Sequence, residues 1–483
     1  MIAYKQLSLG EIFSDCSNSF ENDKYRFLSL LEKNLDIDEF ISVSFRNHFY
    51  ASFGRHRKYP LHAFLWALLL QRIFSIPTDS LLIIFLKYSR ELRDFCGFSK
   101  VPDASKFTRF KQDFLPDLQS FFDNLVDVTE PICQALDKER ASMTIFDTSG
   151  IEAFVTENNP KYANQIIKQL NAYKKAMHLN DSYDPYSAAY GSMPSCASAN
   201  PAIKQLYING HFCYVFKFGI ITNGLGIVRD ITFYNNDFIK AHPDIVIDKK
   251  SDSPDEDKSL GDAKALLPVL TDFFQKHPLI RPTTFLGDAA FDVLGIYKSL
   301  LQDFHFRKAY IPLNLRNSPK TSGHLINEDG IPCCPKNPSV LMKYECTSGI
   351  RNGVQRYKFV CPEMKYKKCE DGKYHRRCQC DTPCTSSPCG RMIYIYPEKD
   401  IRTYPGTIRG TEEWDETYKT RSVVEKNINH FKGSYCLAGR RTQNEKTLHA
   451  DLLLAGITQL ITVILADRIH QHQYLRTLKP LIE

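Results

Sequence analysis

Two short runs of β-branched and aromatic residues each stop at an aspartate: Thr144-Ile145-Phe146 runs into Asp147, and Thr283-Thr284-Phe285-Leu286-Gly287 runs into Asp288. A strand that ends on a carboxylate delivers that charge to one edge of a sheet. Between the two runs, Phe212 to Thr222 and Leu225 to Tyr234 form a pair of strand-like segments separated by Asn223-Gly224, a dipeptide suited to a tight hairpin turn. Helical periodicity covers Lys161 to Lys175, ahead of a loop from Asn180 to Pro201, and returns from Asp262 to Lys276 after an acidic loop, Asp248 to Asp257. Phe291 to Leu301 reads as a helix and Arg307 to Leu313 as a fifth strand.

The order is strand with Asp, hairpin, helix, strand with Asp, helix, strand. It is the order of a ribonuclease-H-like α/β domain that still lacks one helix. From Asn317 to about Thr411 the pattern dissolves into Gly, Pro, Cys and short β-like runs such as Tyr357 to Cys361 and Met392 to Tyr396, which reads as an inserted small β domain. Helical periodicity resumes at Glu412 and supplies the missing helix. The segment before Met143 is helical in pattern, through Leu61 to Gln71 and Ser80 to Leu92, with cap residues in Ile76-Pro-Thr-Asp79. Pro102-Asp-Ala-Ser-Lys106 opens another helix carrying Lys106, Arg109 and Lys111; a helix-turn-helix and a plain helical bundle with a basic face fit equally. The expected organisation is a helical N-terminal DNA-binding domain (1–136), the first part of a ribonuclease-H-like catalytic domain (137–316), a Cys-rich β insertion (317–411), and the second part of the catalytic domain with a C-terminal helix (412–483).

The helix expected from Glu412 to Lys432 carries Tyr418, Arg421, Glu425 and Lys432. At ~100° per residue the four point within one ~60° sector. A carboxylate flanked by a guanidinium, an ammonium and a phenol suits a site that holds cation and phosphate together. An exposed helix with an ordinary i,i+4 ion pair is the competing explanation. It weakens once two aspartate-ending strands precede the helix in the required order. Asp292 is expected to cap the helix that follows it. Trp414, one turn before Tyr418, is expected in the core, with stacking on an unpaired base as the minor alternative.

These residues resemble a known family. Tyr418, Arg421, Glu425 and Lys432 look like the Tyr-Arg-Glu-Lys signature of DDE transposases from bacterial insertion sequences, and Phe146-Asp-Thr148 and Gly287-Asp-Ala-Ala-Phe-Asp292 resemble that group's two aspartate motifs. Pro60 to Phe114 is similar to the helical domain ahead of its catalytic domain. The resemblance implies that Asp147, Asp288 and Glu425 are catalytic and hold Mg²⁺, with Mn²⁺ able to substitute, while Tyr418, Arg421 and Lys432 grip DNA. It further implies cleavage and strand transfer at terminal inverted repeats and target DNA by a homodimer assembled on DNA ends. An inactive DNA-binding remnant and a ribonuclease-H-like nuclease are the alternatives.

Composition agrees with a DNA partner without demanding one. The formal charge is +7, and Lys419 to Lys446 carries seven basic residues against two acidic ones. No basic-then-apolar leader opens the sequence, so a cytoplasmic, nucleoid-associated protein is expected. Leu452 to Ala466 is apolar but falls short of the ~20 residues of a membrane span and reads as a buried helix, so no membrane partner is expected. Of fifteen cysteines, nine lie between Cys333 and Cys389. Clustered thiols in a small β domain make structural Zn²⁺ a candidate, with Cys361, Cys378, Cys380 and Cys384 as ligands and Cys389 as a substitute. No pair of Cys-x-x-Cys motifs is present, and free buried thiols are the equal alternative.

Overall fold

The computed structural model describes residues 8, 10–11, 14, 26–50, 56–208, 211–247, 249–250, 253–257, 260–314, 325–351, 354–369, 372–439 and 442–482. Arg440 and Arg441, part of the acidic 248–257 loop and the start of the insertion lie outside them. The chain divides into two compact units, Met1–Ile132 with Asn429–Glu483, and Cys133–Ile428.

The first unit is helical. Capping fixes where its helices begin: the Thr78 side chain accepts from Leu81 N (3.2 Å) ahead of Asp79–Tyr88, and Asp103 accepts from Lys106 N (3.2 Å) ahead of Ala104–Asp113. Leu61–Ile73 is buried along nearly its whole length, so it is a core helix. Phe64 stacks on Phe110 with ring centroids 5.0 Å apart, and Phe49 meets Phe114 at 5.2 Å. Each such ring contributes about 1.5–3 kcal/mol by leaving water.

The helix Glu445–Arg468 packs against Leu61–Ile73 and Ala104–Asp113. It is long and apolar enough to cross a membrane by length and composition, yet it is buried within this unit, as expected for the Leu452 to Ala466 run. Its Asp451 sits 2.8 Å from both Arg72 and Lys111, and Lys111 also pairs with Asp79 at 2.8 Å. Arg72 and Lys111 have no exposed surface. Lys111 is therefore an internal ion-pair partner and not part of a basic outer face.

The second unit is mixed α/β, built on a seven-stranded sheet. Its strands are β1 (Met143–Glu152), β2 (Cys196–Ala197), β3 (Asn200–Ile208), β4 (His211–Thr222) and β5 (Val228–Phe233); β6 (Lys249–Lys250) and β7 (Ser253–Asp257) form a separate hairpin; β8 (Thr284–Leu286) and β9 (Lys308–Tyr310) complete the sheet. Across its centre the order is β5-β4-β1-β8-β9, with β1, β8 and β9 parallel and β4 antiparallel to both β1 and β5. The helix Asp262–Lys276 matches the expected bounds.

Three local expectations change. The β4–β5 connection is not a two-residue turn. Asn223 N donates to Ile227 O, the Asn223 carboxamide oxygen accepts from Leu225 and Ile227, and the left-handed residue is Gly226 (φ 77°). The helix expected from Phe291 to Leu301 is a short α-helix, Leu294–Lys298, continued by a π-turn, Ser299–Asp303. The long helix expected from Glu412 is two helices, Glu412–Lys419 and Ser422–Lys432. Between them Thr420 N bonds Thr417 O, Arg421 N bonds Tyr418 O and Val424 N bonds Arg421 O, all i to i+3. The chain thus tightens through a 3₁₀-type turn at Arg421, with about 3.0 residues per turn in place of 3.6.

The insertion forms its own small core. β10 (Lys343–Arg351), β11 (Val354–Val360) and β14 (Met392–Ile395) make a three-stranded sheet, and β12 (Met364–Lys368) pairs with β13 (Tyr374–Cys378) as a hairpin.

Candidate functional site: a carboxylate cluster around Arg421

Register explains why the two aspartates meet. In the parallel pair β1–β8, Ile145 stands opposite Leu286. Asp147 lies two residues further along β1, so the pleat returns it to the side of the sheet that Ile145 marks, and β1 runs on past it to Glu152; Asp288 lies two residues past Leu286, where β8 has ended and the chain turns. Gly287 lets the chain make that exit, since a Cβ there would come within 2.8 Å of the Phe291 ring and 3.0 Å of Phe285. Asp288 then turns the chain by accepting from Ala290 N at 2.7 Å.

Arg421 joins the cluster from the tight turn between the two helices. Its guanidinium lies 3.7 Å from Asp147, 3.8 Å from Asp288 and 2.5 Å from Glu425. Three carboxylates thus surround one cation, which leaves two negative charges uncompensated when all three are ionised. Asp147 feels this most. Burial pushes its carboxyl up to about 6, against the pull of Arg421 and the Thr148 N–H, and Asp288 and Glu425 add to the rise. Burial also raises the Tyr418 hydroxyl, with the same three carboxylates contributing and Arg421 opposing. Arg421 Nε is buried with no hydrogen-bond partner among the described residues.

Of the residues singled out in the sequence, Asp147, Asp288, Tyr418, Arg421 and Glu425 are brought together here. Lys432 closes the last turn of the Ser422–Lys432 helix and is half-buried. Trp414 is half-buried; its ring stacks on Tyr418 at 4.9 Å, with the Arg409 guanidinium 5.6 Å from its centroid. It is thus a packing partner of Tyr418.

Asp292 is not a helix cap. It is buried, takes two hydrogen bonds from Arg402 of the insertion, and accepts from Tyr297 Oη (3.1 Å) and Asn314 N (2.6 Å). A buried carboxylate with a guanidinium partner ties the turn after Asp288 to the end of the insertion. The helix that follows has Val293 at its N-cap, with no side-chain bond.

A supporting row beside Asp147 escapes the sequence pattern. Thr148 Oγ1 donates to Asp262 at 2.6 Å, and Asp262 also pairs with Lys217 of β4 at 2.6 Å. The available signal is Lys217 itself, a cation flanked by Phe216 and Phe218 in an otherwise apolar strand. Of the expected zinc ligands, the Cys361, Cys378 and Cys380 thiols lie within 4.8 Å of one another, while Cys384 lies outside that trio, beside Cys334. In the helical unit, His56, Arg57, Lys58, Lys106 and Arg109 line a groove of about 640 Å³ with Phe49, Phe64 and Phe114 behind them.

Comparison with known proteins gives a partial match. Residues 15–113 match a family model described as Transposase domain (DUF772). No curated protein matches the chain. Among solved structures, one similar chain is that of a cryo-EM structure of the piggyBac transposase synaptic complex with hairpin DNA. It is 10% identical, with 95% of this chain and 86% of that chain covered, at a TM-score of 0.25.

Proposed function

We propose that this chain is a DNA transposase of the DDE type, cutting and joining DNA at a site formed by Asp147, Asp288 and Glu425. The observation that carries the reading is the meeting of these three carboxylates around Arg421, one from the middle of β1, one from the turn after β8 and one from the helix Ser422–Lys432. The transposase-domain match over residues 15–113 supports it independently. The central strand order β5-β4-β1-β8-β9, with only β4 reversed against its neighbours, is the order expected of a ribonuclease-H-like domain.

The donor set fits hard divalent cations such as Mg²⁺: oxygen ligands only, partly exposed at Asp288 and Glu425, with an excess of negative charge that one guanidinium does not cancel. Bound there, such ions would activate a water or a 3′-hydroxyl and stabilise the leaving oxygen. The chain's own residues do the rest. Asp147, Asp288 and Glu425 hold the ligand oxygens in place. Arg421 keeps the carboxylates together, Tyr418 stands beside it, fixed by the Trp414 ring, and both would contact DNA phosphate. Lys432, in the last turn of the helix that follows Arg421, would be a further contact for a DNA phosphate. In the helical unit, the groove with Lys106 and Arg109 supplies a basic, aromatic-backed surface for a DNA backbone.

The test is strand cleavage by the purified full chain on duplex DNA carrying the inverted repeats that flank its own gene. Matched RNA–DNA hybrid and unrelated duplex serve as competitors. Cleavage confined to the repeat-bearing duplex supports the proposal. Cleavage of the hybrid alone replaces it with a ribonuclease-H-like nuclease, and DNA binding without cleavage replaces it with an inactive remnant.

A further inference from the structure

We infer that the insertion is built around a structural Zn²⁺ site in which Cys361, Cys378 and Cys380 are three ligands and the neighbouring Cys334–Cys384 pair supplies the fourth. The three thiols come from separate places: Cys361 directly follows β11, Cys378 ends β13, and Cys380 lies in the loop beyond. Their sulfurs lie within 4.8 Å of one another, and the Cys361 and Cys380 sulfurs are 3.6 Å apart. With zinc–sulfur bonds of ~2.3 Å, two sulfurs of a tetrahedral site are separated by about 3.8 Å. The spacing therefore fits ligands of one ion. Cys384 and Cys334 are free thiols that interact with each other, and Cys384 also interacts with Cys361; both lie outside the 4.8 Å trio, so one of them would move in to complete the tetrahedron.

The backbone around the thiols is shaped for the cluster. Cys361 N donates to Arg391 O and Cys378 N to Pro388 O, which wraps the 388–391 loop over the sulfurs. Gly390, in that loop, adopts φ +82°, and a Cβ there would press to 3.3 Å on Cys378 Cβ and 3.5 Å on its sulfur. Any larger residue would strain the backbone and crowd the cluster.

The energetic need is equally visible. The insertion's apolar core is small, resting on Met342, Tyr357, Phe359, Ile393, Ile395 and Tyr404 together with Cys361. The β12–β13 hairpin is almost wholly exposed, and a two-stranded hairpin is at best marginally stable by itself. An ion ligated from the end of β11 and the end of β13 would fasten that hairpin to the three-stranded sheet. The thiols must lose their protons on binding, so affinity falls as pH falls. The inference is independent of the proposed cleavage chemistry.

The experiment is metal analysis of the full chain purified without chelators, followed by Co²⁺ exchange and absorption spectroscopy. One zinc per chain is expected, and the Co²⁺ form should show the intense visible bands and sulfur-to-metal charge transfer of a tetrahedral thiolate site. Cys361→Ser, Cys378→Ser and Cys380→Ser should each lose the metal. Cys346→Ser, at an exposed thiol, should keep it. If the ligand variants misfold, the Co²⁺ spectrum of the parent chain still decides the coordination. Zinc-free parent protein, a Cys361–Cys380 disulfide in non-reduced digests, or full zinc content in Cys380→Ser would each overturn the inference.

Discussion

Replacing Asp147 with Asn should stabilise the metal-free protein at neutral pH, although it removes a residue of the proposed active site. The carboxyl protonates near pH 6 in the fold, against 3.8 ordinarily, because burial and two neighbouring carboxylates outweigh Arg421. At pH 7 the charge is therefore held in the fold at a cost. The gap between 3.8 and about 6 corresponds to about 3 kcal/mol at 1.36 kcal/mol per pH unit. The side chain keeps 18% of its surface, so water relieves part of this, and a gain of about 1–3 kcal/mol is expected. The sign follows from proton uptake. Between pH 3.8 and about 6 the folded state holds the proton and the unfolded chain does not, so the parent loses stability as pH rises through that window. Below it the penalty is absent and the advantage of Asn disappears.

The assay is urea unfolding in EDTA at pH 4 and pH 7.5, following Trp414, which lies in the same unit as Asp147. Trp66→Phe serves as background, because a chain of two units need not unfold in one step. Adding Mg²⁺ should stabilise the parent and not the variant. An Asn variant less stable than the parent at pH 7.5, or equally shifted at both pH values, would show that the fold does not hold this charge at a cost.

Asp451→Ala should destabilise the helical unit by about 3–5 kcal/mol, since it leaves Arg72 and Lys111 buried without that carboxylate, while Lys111→Met should cost less, about 2–3 kcal/mol, because Asp451 keeps Arg72 and the partly exposed Asp79 keeps Gln71. Trp66 fluorescence in urea, in a Trp414→Phe background, reads both. Lys106→Ala and Arg109→Ala should weaken DNA binding and flatten its dependence on log salt by about 0.9 for each phosphate no longer neutralised, whereas Lys111→Met should leave that slope unchanged. Equal slopes in all three would remove the groove from the DNA interface.

The features legible in the sequence are those fixed by local pattern. β1 and β8 are visible because each contains a short β-rich run, and their aspartates because a charge follows each run; the expected strand end at Asp147 does not hold, since β1 continues through it to Glu152, paired with β4 along that length. Glu425 stands out through its spacing from Arg421. Long-range partners decide the rest. Lys111 looks like one more surface cation on an amphipathic helix until Asp451, far along the chain, is brought beside it. Asp292 is chemically an ideal cap, and only Arg402, from the insertion, reveals its structural use. Nothing in Tyr418-Lys-Thr-Arg-Ser422 announces a helix break, since it holds neither Pro nor Gly; the i to i+3 bonds appear only in the structure. That turn places Arg421 among the carboxylates, so a residue expected to grip DNA also serves to hold the acidic cluster together.

The sharpest test of the carboxylate cluster as a cleavage site is Mg²⁺-dependent nicking of the duplex DNA proposed as substrate by Asp147→Asn, Asp288→Asn and Glu425→Gln, with DNA binding measured on the same preparations. Each substitution keeps the side chain's shape and removes one charge from the cluster around Arg421. Nicking should be lost in all three, by at least about a hundredfold, equivalent to about 2.7 kcal/mol in the barrier, while binding stays within severalfold of the parent. Normal nicking in any one of the three would contradict the assignment of these carboxylates to the chemistry.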